Sequence, residues 1–395
     1  MNQQNIAYIS FDIVPAPKGA AIHIAAFSQA LATAFGEIHL VTVSPTTKLI
    51  YSPQIYPNIQ QTMLPALGDN LIQRVLHFRR LLQQWLHKQR FAIIHIRSIY
   101  EGYIIARNKK QYCDKLVFEV NGLPSIELKY RYPAVVDDRE LLHKLYSQEQ
   151  VCLAAADLLI TPSSVTAKYL QSRGISAEKI RVIPNGVDLN VFTYSESQQN
   201  SSLQMLYFGT LSPWQGVNLA VEALGLVNRD LTADLTVIGQ ARDYQIKGLK
   251  QLANKLGVAD KLNILEPMPQ NQLVEHIHTA DVILAPLTAN DRNLVQGCCP
   301  LKILEGMATG TPVITSDMQV VQELGENGVH FLAVKPGSAK AIKDAVLQLQ
   351  NHGELATYLA TNARVRVAED YTWQRAGTAL TTAYQELGIK RSMRV

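Results

Sequence analysis

Short apolar runs of strand length alternate with longer amphipathic stretches along this chain, and the alternation starts over once. Strand-like runs fall at Ile6–Phe11, Ile38–Val43, Ala92–Ile96, Leu116–Val120, Leu158–Thr161 and Ile180–Ile183, with helical periodicity over Ala20–Phe35 between the first two. After the polar run S-E-S-Q-Q-N-S-S at Ser195–Ser202, the pattern resumes. Strands are predicted at Leu203–Phe208, Asp234–Ile238, Leu262–Leu265, Val282–Ala285 and Val313–Thr315. Helices are predicted between them at Leu219–Val227, Tyr244–Leu256, Leu273–Thr279 and Ile303–Ala308. Near-continuous apolar strands separated by helices predict parallel sheets covered on both faces, an α/β class. The polar run is the expected linker between two domains of similar size. In such folds, ligands sit beyond the carboxyl ends of the strands.

Composition narrows the field without naming a chemistry. The 395 residues are 47% hydrophobic and 18% charged with a net charge of +4, an ordinary soluble balance too mildly basic to imply a nucleic-acid partner. The four cysteines, Cys113, Cys152, Cys298 and Cys299, show no metal spacing and no disulfide framework. The residues from Met1 to Ala7 lack the basic-then-apolar layout of a signal peptide, and no apolar run reaches membrane-spanning length. The expected location is the cytoplasm.

Candidate chemistry concentrates at Gly297–Thr315, G-C-C-P-L-K-I-L-E-G-M-A-T-G-T-P-V-I-T. A loop here feeds a helix whose N-terminal N–H groups and dipole suit a phosphate. Lys302 lies on the first turn. Glu305, three residues on, is placed to accept hydrogen bonds from the vicinal hydroxyls of a ribose, although Gly-Thr-Pro-Val is also ordinary punctuation and Glu305 also reads as a solvated helix residue. Ile180–Asp188, I-R-V-I-P-N-G-V-D, reads by itself as a strand and a turn. Near the first strand, Gly19 allows close approach of backbone to a ligand, and Lys18 is a candidate phosphate or acceptor contact. His23 reads equally as packed or ligand-facing. Arg97 and Glu101 follow the strand Ala92–Ile96 and, with Glu127, are candidate acceptor contacts.

Taken in order, I-P-N-G-V-D, Y-F-G-T-L at Tyr207–Leu211, V-I-G at Val237–Gly239, A-D-V-I-L-A-P at Ala280–Pro286 and L-E-G-M-A-T-G-T-P-V-I at Leu304–Ile314 resemble the retaining GT-B glycosyltransferases of family four. The resemblance runs from P-K-G-A-A-I-H-I at Pro17–Ile24 to Tyr371–Trp373. It implies the GT-B fold, two Rossmann-like domains facing each other across a cleft. Residues 1–192 would bind the acceptor, residues 203–373 the nucleotide-sugar donor, and the helix in 374–395 would cross back to the first domain. It further implies hexose transfer from a nucleoside diphosphate sugar to a glycan, lipid-linked or small-molecule acceptor, with retention at the anomeric carbon and no metal or other cofactor. The donor would meet Gly19, Gly209, Thr210, Gln215, Glu305 and the stretch Cys298, Cys299, Pro300, Leu301 and Lys302.

Three departures from the family pattern involve four positions. Its Arg and Lys after the first donor-domain strand fall on Thr210 and Gln215, its first paired glutamate on Gly297, and its N-terminal-domain histidine on Asn121. Lys302 and Arg292 are the expected replacements for the two lost cations, which makes them, with Asn121, the candidate catalytic residues. A non-catalytic sugar-nucleotide or glycan-binding subunit and a GT-B sugar-nucleotide epimerase are the alternatives. Separately, Leu71–Phe91 reads as a basic amphipathic helix carrying Arg79 and Arg80, suited to peripheral contact with the anionic inner face of a membrane or to burial of its apolar stripe.

Overall fold

A computed structural model describes residues 5–52, 56–196 and 202–390, and the chain divides into two compact units. The first comprises Met1–Pro184 together with Gln374–Val395, the second Asn185–Trp373. The division therefore falls ahead of the expected 192. Residues 197–201 of the expected linker lie outside the described residues.

The first unit is built on strands β1 (Ile6–Ile9), β2 (Ile38–Val43), β3 (Ile50–Ser52), β4 (Ile59–Leu64), β5 (Phe91–Ile96), β6 (Cys113–Glu119), β7 (Leu158–Thr161) and β8 (Ile180–Val182). They form one sheet in the order β3-β4-β2-β1-β5-β6-β7-β8. Every pairing is parallel except β3 on β4. β1 and β7 are buried along their whole length, as sheets covered on both faces require. The order reverses between β1 and β5, so the loops following these two strands flank a topological switch point. The Trp373–Glu386 helix contributes to this unit from the far end of the sequence. Its Tyr384 hydroxyl lies 2.7 Å from His95 Nδ1, and its ring stacks on Phe35 with centroids 5.8 Å apart.

The second unit carries β9 (Leu203–Phe208), β10 (Ala233–Ile238), β11 (Leu262–Leu265), β12 (Val282–Ala285), β13 (Val313–Ser316) and β14 (Leu332–Val334). All six pair in parallel in the order β11-β10-β9-β12-β13-β14, with the switch point between β9 and β12. Helices Val217–Val227 and Ala339–Asn351 bury Val221, Leu224, Ile342 and Val346 in a common core with Leu235 and Leu284. The Leu301–Thr309 helix ends at Gly310 in the left-handed conformation (φ 86°), after which β13 begins.

The amphipathic helix is shorter than expected. It runs Leu71–Leu86, capped by Asn70 accepting from the Gln73 amide at 3.0 Å, and Phe91 already belongs to β5. Its stripe of Val75, Phe78, Leu82 and Leu86 is buried. Arg79 is not available to a membrane surface: it donates to the carbonyls of Ile99 and Tyr100 and to Gln148. On the exposed side remain Arg80, Ile72 and Leu76. Among the described residues no helix is long and apolar enough to cross a membrane.

Candidate functional site

In the second unit the loops after β9 and β12 converge on the start of the Leu301–Thr309 helix. Pro300 occupies the cap position, and no side chain caps the helix. The first N–H groups of such a helix have no partner within it. Lys302, on its first turn, is only 6% exposed, and its Nζ has no hydrogen-bond partner. The amine lies 3.8 Å from the centre of the Tyr207 ring, whose hydroxyl donates to the Thr210 carbonyl at 2.8 Å. A Cβ on Gly209 (φ 116°) would stand 3.5 Å from the same nitrogen. Lys302 thus runs alongside the very loop in which the family cations are replaced by Thr210 and Gln215. Burial pushes the ammonium down to about 7, with Glu305 only partly opposing.

Arg292 reaches the other end of that loop. Its guanidinium stands 5.8 Å from the Trp214 ring centre, and Nη1 donates to the Gly297 carbonyl at 3.0 Å. Gly297, where the family places a glutamate, takes φ 82°, a conformation L side chains rarely adopt. The loops are laced together by Asn293, whose amide donates to the carbonyls of Trp214 at 2.9 Å and Thr288 at 2.8 Å. Gln215 stands in the turn Pro213–Gln215, with its Oε1 buried and without a partner.

Glu305 is 7% exposed, so it is no solvated helix residue. Gln270 Nε2 donates to it at 3.3 Å, and burial pushes the carboxyl up to about 7 against the opposing effects of Gln270 and Lys302. Cys298 is half-buried, with Sγ 3.9 Å from Asn293 Oδ1. Cys299 is buried, and burial raises its thiol well above the ordinary range, so it presents backbone rather than a nucleophile. Its carbonyl accepts from Asn185 Nδ2 at 2.7 Å. The P-N-G turn, featureless as sequence, therefore holds the loop that precedes Leu301.

In the first unit the carboxyl ends of β1, β5 and β6 enclose Glu119, 1% exposed, which sequence reasoning missed. Tyr8 donates to its Oε2 at 2.7 Å and His95 Nε2 to the same oxygen at 3.0 Å, while Arg97 Nε donates to Oε1 at 2.9 Å. His23 Nε2 lies 2.8 Å from Oε1. Burial works against a charged carboxylate, but His23 and Arg97 outweigh it and hold Glu119 well below the usual carboxylate range. The bonds of His95 fit a neutral ring protonated on Nε2, in line with a pKa lowered by burial.

In and around this cluster, the candidate acceptor contacts Arg97 and Glu101 and the candidate catalytic residue Asn121 all have partners within the protein. The Arg97 guanidinium pairs with Glu119 and, at 3.2 Å, with Asp12. Glu101 is completely buried and accepts from the backbone amides of Arg97 at 2.8 Å and Ser98 at 2.6 Å, capping the Ile99–Arg107 helix. Asn121 turns its amide onto Glu119. Lys18 caps the Gly19–Phe35 helix positionally, with no side-chain bond to it, and pairs with Asp12 at 3.3 Å. The Glu127 carboxylate lies over Gly122, within 2.4 Å of where a Cβ would be. Among the described residues no group of His, Cys, Asp or Glu is arranged to hold a metal ion.

Comparisons with known proteins cover both units. The model of Glycosyltransferase Family 4 matches residues 17–191, and that of Glycosyl transferases group 1 matches 195–366. A D-inositol 3-phosphate glycosyltransferase of Geodermatophilus obscurus is 28% identical over 268 residues, 64% of this chain and 57% of that protein. The match thus spans less than two thirds of that relative's length. Among solved structures, sucrose-phosphate synthase from Thermosynechococcus elongatus superposes with a TM-score of 0.81 at 20% identity, over 98% of this chain and 99% of the other. The HepE protein of Anabaena, solved with UDP-glucose, gives 0.73 at 14% identity, over 97% and 99%. At these identities the likeness speaks to fold alone.

Proposed function

The chain belongs to the family 4 GT-B glycosyltransferases, and from that premise we propose that it moves a hexose from a nucleoside diphosphate sugar to a hydroxyl acceptor, with net retention at the anomeric carbon. The observation that carries the reading is the buried, unpartnered Lys302 amine beside Gly209 and the uncapped start of the Leu301–Thr309 helix. A positive group left without a partner inside a protein is costly unless a ligand completes it. A diphosphate is such a ligand: the helix N–H groups and Lys302 take one phosphate, Arg292 the other, and Glu305 the ribose hydroxyls. In the reaction the bond from the anomeric carbon to the leaving phosphate breaks while the acceptor oxygen bonds on the same face. The departing phosphate oxygen takes the acceptor proton. The protein's share is to hold the growing phosphate charge, here assigned to side-chain cations and backbone dipoles.

The test is a thermal-shift screen of UDP, GDP, ADP and their sugars, followed by hydrolysis of whichever sugar nucleotide binds and NMR of the transfer product. A ligand at a hundred times its dissociation constant should stabilise the fold by about 2.7 kcal/mol. Slow hydrolysis without acceptor, and an α-linked product from an α-linked donor, are expected. Binding without any turnover would favour a non-catalytic subunit, and a β-linked product would remove the protein from the retaining class.

Glu305→Ala tests the ribose assignment. Losing a buried carboxylate that accepts from the diol should weaken nucleotide binding by about 1.5–3 kcal/mol, read by calorimetry. Unchanged affinity would remove Glu305 from the site.

A further inference from the structure

Lys302 and Glu305 sit three residues apart on one helix, so their side chains share a face. Both are more than nine-tenths buried, yet neither has the partners a buried ion needs. The amine has no hydrogen bond and touches the Tyr207 ring; the carboxyl has the single Gln270 contact at 3.3 Å. Of the neighbouring charged groups, Arg292 is turned to the Gly297 carbonyl and the Trp214 ring. Tyr207 is fully buried, which holds its phenol protonated, and Arg364, from the Gly353–Asp370 helix, binds the Ala308 carbonyl at the opposite end of the same helix. Lys302 also stands at the positive end of the helix dipole, which disfavours an ammonium.

We propose that the empty site holds this pair as a neutral amine and a neutral acid, and that a nucleoside diphosphate sugar moves the proton from Glu305 to Lys302 as it binds. The inference rests on the donor-site reading given above. Phosphate oxygens at Nζ supply the partner that an ammonium lacks, and ribose hydroxyls donating to Glu305 supply the partners that a carboxylate lacks. The balance closes within the site: one O–H bond breaks at Glu305, one N–H bond forms at Lys302, and no proton is exchanged with solvent. Burial pushes the amine down and the carboxyl up, each to about 7, which narrows the gap the proton must cross. A ligand offering only phosphate would have to draw its proton from water, and one offering only a diol would have to release one. The pair therefore favours ligands carrying both, at the spacing the helix sets.

Calorimetry in phosphate and in Tris at pH 7 counts protons exchanged on binding. The probes are UDP-glucose, ADP-glucose and GDP-mannose, whose diphosphates do not titrate near this pH. The wild type should exchange close to none. Glu305→Gln should take up about half a proton or more, and Lys302→Met should release a similar fraction. In the wild type itself, adding the sugar nucleotide should remove one component of the protonated-carboxyl infrared signal, and this ligand-induced loss should be absent from Glu305→Gln. Binding with no proton exchange in either variant, or no change in the carboxyl signal, overturns the proton transfer while leaving the donor site standing. No binding of any of the three sugar nucleotides to the wild type overturns the donor-site reading and the proton transfer with it.

Discussion

Lys302→Ala is expected to lower sugar-nucleotide turnover by roughly a hundred- to a thousandfold, the loss typical of removing one preorganised charge-stabilising group. Donor affinity should change far less, because the charge on the leaving phosphate grows toward the transition state. The expectation follows from geometry. Thr210 and Gln215 carry no charge, while the Lys302 amine runs beside Gly209 and under the carbonyl-bound Tyr207 ring, where a cation from that loop would otherwise act. The double substitution Thr210→Arg with Gln215→Lys, placed in the Lys302→Ala background, should restore part of the rate. Hydrolysis of the donor that binds is the assay, so no acceptor need be known. Near-normal hydrolysis by Lys302→Ala would end the idea that this lysine stands in for the missing cations.

Glu119→Gln is expected to destabilise the first unit strongly. It leaves the Arg97 guanidinium in the interior without its Glu119 counter-charge, and breaking a buried pair in this way costs about 3–5 kcal/mol. For a unit of this size that is a fall in Tm on the order of 10 °C. The pH dependence has a definite sign. Glu119 titrates lower in the folded state than in the unfolded chain, so its contribution is present above the ordinary carboxylate pKa near 4.3 and fades as the pH falls through the folded value. His95, whose pKa is lowered by burial, adds a loss of stability as the pH drops below about 6.5, where the unfolded chain takes up the proton instead. Melting curves of wild type and variant at pH 8 check the first statement. A Tm within 2 °C of wild type there would mean that the cluster is not electrostatically important.

What the sequence revealed and concealed has a physical pattern. β1, β5, β7, β9 and β12 are nearly uniform apolar runs, and burial on both faces leaves that mark in any single sequence. β4 was missed because I-Q-Q-T-M-L looks half-polar, yet Gln61 is buried with its amide donating to the Val14 carbonyl and to Thr42. The helix bearing Lys302 and Glu305 was legible because its chemistry is local: loop, cation and carboxylate lie within nine residues of Gly297. Glu119 was not, since its partners come from positions 8, 23, 95, 97 and 121 and meet only when three strands and a helix assemble. Its one sequence signal is a carboxylate set within the apolar run Leu116–Val120. Arg97 and Glu101 show the converse: a charged residue after a strand gives no sign, in sequence, of the internal partners it meets in the fold.

The first unit is stitched from two stretches of chain, and this sets a timetable for its birth on the ribosome. Its sheet strands emerge early, but the hydroxyl that meets His95 belongs to Tyr384, and the whole of Asn185–Trp373 must be synthesised in between. At roughly 5–20 residues per second that interval lasts on the order of 10–40 s. During it the nascent first unit waits with the His95 ring and the surface around Phe35 uncovered, while the second unit, contiguous in sequence, is free to fold at once.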